Sequence, residues 1–300
     1  MLSRLVVAAV AAYSLSLQKP LFNEVRMENS MVKRTDSEYL STLERGLRVM
    51  RSFSAQRSEM TISQVAVETD LNPAVVRRCL HTLEQLGYIA KRDNLFSLTA
   101  EVLTFGTHYV ESAHLETAVR PHLQRVRDMM GDSSSMALLS RGEVLYLVHV
   151  STDRRVQLDA SVGTRFPAYS TSMGKVLLTG LSLAEIDRYC QRIGFVQTTD
   201  NTITEPSQLK DVLRQVSEKG YATALDELDY GIVSVALPIT DELGRVIAAI
   251  NCSTSTSRVS LDDMVATRLP VLREAAAAIG AEIRNSRALA RAMTISSIPG

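Results

Sequence analysis

Residues 61–87 read TISQVAVETDLNPAVVRRCLHTLEQLG, and the fold of the N-terminal third is decided by them. Thr61 is a good N-cap for a short helix carrying Ile62, Val65, Ala66 and Val67, with Ser63 and Gln64 in its first turn. The break comes at Thr69, Asp70 and Leu71. Asn72 then caps a second helix that opens on Pro73, at the one position where the missing N–H is not needed. Val76, Leu80, Leu83 and Leu86 fall on one face of this helix, and Gly87 ends it. A short helix, a tight turn and a second capped helix make a helix-turn-helix.

The outward face of the second helix separates a DNA reader from a plain helical hairpin. It offers Asn72, Ala74, Val75, Arg77, Arg78 and His81, with N-terminal positions small or polar enough to enter a major groove. Arginine suits that task because its planar fork bonds guanine edges or phosphate in two places. After Gly87, Tyr88 and Ile89 start a strand, Lys91 to Asn94 turn, and Leu95 to Ser97 return, which forms a β-wing tipped by Lys91 and Arg92. Thr61, Ser63 and Gln64 of the first helix complete the candidate DNA contacts. Ahead of them, Leu43, Leu47, Val49, Met50 and Phe53 give an amphipathic helix ending near Ser54. Residues 41–92 carry eight basic and five acidic side chains, an excess of three. A solvated charged face is the plain alternative, but it needs the capped turn, the basic face and the basic wing to coincide by chance.

That local excess stands in a chain of 300 residues whose Lys+Arg 33 and Asp+Glu 33 cancel. Neutral total charge does not exclude nucleic acid, because placement of the cations decides phosphate affinity. Cys79, Cys190 and Cys252 are odd in number and have no CxxC spacing, so neither a disulfide framework nor a cysteine zinc site is indicated. A reducing cytoplasm fits best. Residues 5–17, LVVAAVAAYSLSL, are too short for the roughly 20 residues of a membrane-spanning helix and lack a clean signal-peptide cleavage site. Residues 1–38 are therefore expected to be an extension without a fold role, with translation starting at Met27 or Met31.

Beyond the wing, Val102, Leu103, Phe105, Tyr109 and Val110 suggest a linker helix, and Leu115 to Met130 a second helix closed by Gly131. β patterning follows at Ser135 to Ser140, Glu143 to Val150 and Val156 to Ala160, the first two joined at Arg141 and Gly142. Helices are expected at Ile186 to Ile193 and Leu209 to Glu218, then strands at Ala222 to Leu225, Ile232 to Ile239 and Val246 to Ser253. A long helix over Leu261 to Ser286 finishes the pattern. Strands interleaved with helices and closed by hairpins make this half α+β. The expected division is 39–100 for the winged helix-turn-helix, 101–114 for the linker helix, 115–287 for the α+β domain and 288–300 for a tail.

Four stretches carry a family resemblance: STLERGLRVM (41–50), VVRRCLHTLEQLGYI (75–89), GTRFPAYSTSMGKVLL (163–178) and AAINCSTSTSRVS (248–260). With the helix-turn-helix and linker, they make the chain resemble the IclR family of bacterial transcription regulators from about Tyr39 to Ile283. AYSTSMGK and LERGL resemble most the branch that regulates β-ketoadipate-pathway genes, whose effectors include protocatechuate, 4-hydroxybenzoate and β-ketoadipate. The resemblance implies a C-terminal GAF-like domain that binds a small carboxylate effector. Carried over by position, it implies Ser172 and Met173 as amide donors at a helix start, Asp226, Ser234, Asn251 and Ser253 as polar contacts, and Tyr146 and Tyr169 as walls. A helix N-terminus has unpaired N–H groups and partial positive charge, so it can hold a carboxylate without a metal. Asn251 and Ser253, two apart, share one face of a strand. Where the branch often has an arginine after the acidic stretch, this chain has Ile232 and Val233, which implies a drier wall or a changed specificity. The plainer reading makes Thr171 and Ser172 an ordinary helix N-cap, and Asn251 and Ser253 a hydrogen-bonded sheet pair.

An enzyme is the alternative from another class. A phosphate loop around Lys175 would need Gly at 169 and Ser or Thr at 176, where Tyr169 and Val176 stand. GxSxG and HExxH are absent, and the five histidines have no metal-ligand spacing. A further alternative makes the C-terminal half a dimerisation module with no ligand. The expected protein is a regulator without enzyme activity, cofactor or metal. Its partners are a double-stranded operator and a small carboxylate, with RNA polymerase a further candidate, in a homodimer or dimer of dimers that does not contact a membrane.

Overall fold

The computed structural model describes residues 38–112, 114–152 and 160–293. It divides into two compact units, one ending at Tyr109 and the other starting at Val110.

The first unit opens with helix α1 (Ser41–Arg51). Its buried side chain is Val49, joined in the core by Phe53 just beyond the helix. Leu43 and Leu47, expected to be buried with them, are exposed, because they lie one turn apart on a different face of α1 from Val49. Strand β1 (Glu59–Met60), helix α2 (Ile62–Thr69) and helix α3 (Pro73–Gln85) follow, then the wing strands β2 (Ile89–Arg92) and β3 (Leu95–Leu98). β1 pairs antiparallel with β3 through Met60 and Phe96, so the wing is a three-stranded sheet ordered β1-β3-β2. A two-residue strand is too short to show alternation in the sequence, and β1 was not expected. Val65, Val76, Leu80 and Ile89 are buried between the helices and the wing. Helix α4 (Leu103–Ser112), preceded by a 3-10 turn over Ala100–Val102, stacks Phe105 on Tyr88 at 5.5 Å between ring centroids.

The second unit is built on one antiparallel sheet of six strands. The helix expected over 115–130 is two helices, α5 (Leu115–Ala118) and α6 (Arg120–Met130), because Pro121 has no N–H to continue the ladder. Strands β4 (Ser133–Ser140) and β5 (Glu143–Val150) form the expected hairpin, with Arg141 and Gly142 both at positive φ as its two-residue turn requires. The strand expected at Val156 to Ala160 falls on residues 153–159, outside the described residues, and Ala160 itself is not in a strand. A short strand β6 (Arg165–Pro167) lies at the sheet edge beside β5. Helices α7 (Ser172–Leu178), α8 (Leu183–Arg192) and α9 (Pro206–Lys219) follow, then strands β7 (Ala222–Leu225), β8 (Ile232–Thr240) and β9 (Val246–Ser255). The strand order is β6-β5-β4-β9-β8-β7, so sequentially distant β4 and β9 meet in the centre.

The final helix is interrupted. Helix α10 (Leu261–Asp263) passes through a π turn at Met264–Arg268 before helix α11 (Leu269–Asn285), and helix α12 (Arg287–Met293) follows. Pro270 cannot donate to the ladder, which accounts for the break. The π turn places Arg268 Nε 3.0 Å from the fully buried carboxylate of Asp132, which Arg258 also approaches at 3.4 Å.

The two faces of the sheet differ in kind. Alternation sends Val235, Ile250 and Cys252 to the side of α6 and α11. It sends Ser234, Ala236, Ala249, Asn251 and Ser253 toward α7, where small residues let the helix lie close. A polar layer between an apolar helix and a sheet is where the candidate site lies.

Candidate functional site

In the first unit, the two helices of the turn are fixed by their own caps. Thr61 Oγ1 accepts from the Gln64 N–H at 3.3 Å, and Gln64 Oε1 accepts from the Thr61 N–H at 2.8 Å. Asn72 Oδ1 accepts from the Ala74 N–H at 2.8 Å. Three of the expected contact side chains, Thr61, Gln64 and Asn72, therefore shape the backbone as well as standing at helix starts. Asp70 takes φ 51° in the turn between the helices.

Helix α3 then divides cleanly. Val76, Cys79, Leu80 and Leu83 are buried, while Asn72, Ala74, Arg77, Arg78 and His81 are exposed on the other side, as is Ser63 on α2. Val75 is half-buried and packs against the core. Lys91 and Arg92 are exposed at the wing, with Lys91 Nζ 5.8 Å from the Phe96 ring centroid, a cation–π contact that steadies it. Arg77, Arg78, Lys91 and Arg92 have no carboxylate partner among the described residues, so their charge is available to phosphate or base edges.

In the second unit, a narrow cavity of about 20 Å³ lies between α7 and the sheet. It is lined by six of the residues expected to hold an effector: Tyr146, Ser172, Met173, Ser234, Asn251 and Ser253. They come from β5, α7, β8 and β9, and the β8–β9 register sets Ser234 opposite Ser253. Ser172 Oγ and Ser234 Oγ are 2.8 Å apart, tying the helix start to the sheet. Thr171 caps α7 by accepting from the Gly174 N–H at 3.1 Å. As the first two helical residues, Ser172 and Met173 have N–H groups with no acceptor inside the helix. Burial pushes the Tyr146 phenol well above its ordinary pKa, so it stays protonated.

Two expected residues stand elsewhere. Tyr169 is buried beside Phe195, and its hydroxyl donates to the Val196 carbonyl and accepts from the Val196 N–H, at 3.1 and 2.9 Å. Asp226 sits at φ 52° and accepts from the Gly231 N–H at 2.7 Å, which shapes the loop leading into β8.

No motif marks the most charged wall. Glu227, with Leu228, Ala224 and Ile232, lines the cavity. Its Oε1 is 2.5 Å from Lys175 Nζ, which also donates to the Thr223 carbonyl at 2.7 Å. Burial pulls the Lys175 ammonium down and pushes the Glu227 carboxyl up, and each opposes the other's shift by charge and hydrogen bond. A buried pair of this kind is strongly interdependent, because removing either partner leaves the other charge unmatched. Glu227 Oε2 and Asn251 Oδ1 are buried with no hydrogen-bond partner among the described residues. Ile232, where the resemblance calls for arginine, contributes an apolar wall.

No group of three or more His, Cys, Asp or Glu able to hold a metal occurs among the described residues. No described helix is long and apolar enough to cross a membrane.

Both halves match family models. Residues 42–93 match the IclR helix-turn-helix domain, and residues 107–281 match the C-terminal domain of the bacterial transcriptional regulator IclR. The chain belongs to the IclR family. It is 36% identical over 238 residues to the Pca regulon regulatory protein of Pseudomonas putida, covering 79% of this chain and 82% of that one. It is 31% identical over 244 residues to the p-hydroxybenzoate hydroxylase transcriptional activator of Acinetobacter baylyi, covering 80% and 90%. A crystal structure of a transcriptional regulator from Rhodococcus sp. RHA1 superimposes with TM-score 0.70 at 38% identity, covering 81% of this chain and 98% of that one. As an IclR-family member the chain is a DNA-binding transcriptional regulator rather than an enzyme, with its helix-turn-helix in α2 and α3.

Proposed function

We propose that this IclR-family protein regulates genes for catabolism of aromatic acids in the cytoplasm, binding a small carboxylate effector in the α7–sheet cavity. The observation that carries this reading is the convergence of Ser172, Met173, Ser234, Asn251 and Ser253 on one buried cavity. Ala224, Leu228 and Ile232 give it an apolar side, as a site for a small ring requires, with Glu227 beside them. The relatives' names, a Pca regulon regulator and a p-hydroxybenzoate hydroxylase activator, support the aromatic-acid class. The N–H groups of Ser172 and Met173 and the hydroxyls of Ser234 and Ser253 hold the carboxylate. Thr61, Ser63, Gln64, Asn72, Ala74, Val75, Arg77, Arg78, His81, Lys91 and Arg92 form the DNA face. A homodimer, or a dimer of dimers, reads paired half-sites about 34 Å apart, and RNA polymerase is its further partner at the promoter.

Fluorescence anisotropy of the full chain on DNA from upstream of its own gene tests this, titrated at fixed salt with protocatechuate, 4-hydroxybenzoate and β-ketoadipate. Tight, salt-dependent binding that one acid changes is the expected result. Tight binding indifferent to all three removes the aromatic-catabolism assignment and leaves the regulator.

A further inference from the structure

A second cavity lies at the other end of α7. It holds about 210 Å³ and opens to the surface between the ends of α7 and α9 and the base of the β8–β9 hairpin. Val176, Val216, Pro238 and Val246 form its walls. Thr179 and Ser217 also line it, but their hydroxyls donate to the Val176 and Leu213 carbonyls one turn back, at 2.7 and 3.0 Å. An apolar cavity of about 150 Å³ is enough to take up benzene, so this one has room for a leucine side chain. At the tip of the same hairpin stands Leu243, 76% exposed. Its turn is firmly tied: the Asp241 carboxylate accepts from the Leu243 and Arg245 N–H groups, both at 2.9 Å, and from Arg245 Nε at 2.7 Å. The turn requires Asp241 and Gly244, the latter at φ 75°, but nothing in it requires an apolar side chain at 243.

A lone exposed leucine is ordinary. This one stands three residues from Val246, about 10 Å along the hairpin, so an exposed apolar knob and an open apolar cavity lie side by side on one face. A two-fold axis between them sets each knob into the cavity of a second copy, an isologous contact that closes on itself. The charges beside them match. Glu242 is next to the knob, and Lys219 ends α9 at the cavity rim. Both are exposed and neither is in an ion pair among the described residues. Helical spacing sets Lys219, rather than Glu218, beside Val216 and Gly220 on the lining side. We propose that two copies of this chain meet at this face, Leu243 of each seated in the other's α7–α9 cavity and Glu242 paired with Lys219 across the contact. The proposal goes beyond the homo-oligomer of the preceding section by naming a surface, and it stands whether or not the first cavity holds an acid. Two leucines bury little beside the roughly 1,600 Å² of a standard interface, so the contact is concentration-dependent.

Sedimentation equilibrium of the full chain over a wide concentration range, without DNA or acid, tests the inference. The wild type is expected to gain mass with concentration. Leu243→Asp is expected to raise the dissociation constant of that step about tenfold or more, as exposing two seated leucines would, while Leu243→Met keeps an apolar knob and stays close to the wild type. Leu243 is exposed on a turn, so these variants keep the fold, which circular dichroism checks. Glu242→Lys is expected to weaken the step, and Glu242→Lys combined with Lys219→Glu in the same chain to restore it. A wild type of constant mass, or a Leu243→Asp protein that associates as the wild type does, overturns the inference and leaves the cavity to a small apolar ligand or a different protein. A charge swap that fails to restore association overturns the Glu242–Lys219 pairing.

Discussion

Gly174 shows how much of this protein depends on a missing methyl. A Cβ there would run into the backbone carbonyl of Ala168, which cannot yield as a flexible side chain would. The close approach holds the start of α7, and with it Ser172 and Met173, against the turn that precedes it. Gly174→Ala should cost about 1–3 kcal/mol in denaturant unfolding and weaken effector binding; unchanged stability would show that the backbone has room. His149 makes a second prediction. Burial first, and then the Arg120 charge, hold its pKa below the ordinary 6.5, while its Nδ1 lies 2.9 Å from Ser135 Oγ. As pH falls through 6.5 the unfolded chain takes up this proton before the folded one, so stability declines until the lower folded pKa is passed. The thermal midpoint should drop between pH 7.5 and 5, and His149→Asn should show a shallower drop; parallel curves would remove this residue from the acid response. Of the cavity residues, the family motif made Ser172, Asn251 and Ser253 legible. Glu227 was not, since one acid in a loop of acids carries no mark of burial until Lys175 is seen beside it.

At the scale of elements, what reads well from sequence is whatever local chemistry dictates. The caps at Thr61 and Asn72 sit where the cap-forming residues predicted them, and α3 runs over Pro73–Gln85 with Gly87 at φ 85° beyond it. Strand β7 matches its expected span, Ala222–Leu225, because a short alternating strand between turn residues is locally determined. The misses are set by other forces. Pro121 splits one helix, Pro270 accompanies a π turn in another, and β1 exists only because β3 offers it a partner. The recognition helix gives the test of this scale. Arg77 is exposed and has no carboxylate partner among the described residues, so Arg77→Ala should weaken operator binding by about 1–3 kcal/mol in a mobility-shift or anisotropy titration, with the fold intact by circular dichroism. Equal affinity and an equal salt slope would take Arg77 out of the interface.

For the whole molecule, the proposed regulation couples two sites that belong to separate units, one holding α3 and the other the cavity. Coupling is a free energy and is reciprocal: an effector that changes operator affinity by some factor must itself bind operator-bound protein with affinity changed by the same factor. Titrating 4-hydroxybenzoate into free and operator-bound protein should give dissociation constants differing typically 5–150-fold, and identical values would exclude the effector as the switch. The sequence by itself determined the helix-turn-helix, its caps, its basic face and the α+β character of the rest, because capping, periodicity and turn chemistry act over a few residues. Only the tertiary structure decided that the centre of the sheet joins β4 to β9, and that Ser234 stands opposite Ser253. It also placed Tyr169 and Asp226 in supporting roles and set a buried Lys175–Glu227 pair against the cavity. Those relations depend on strand register and close packing between residues far apart in the chain, and no local pattern encodes such distances.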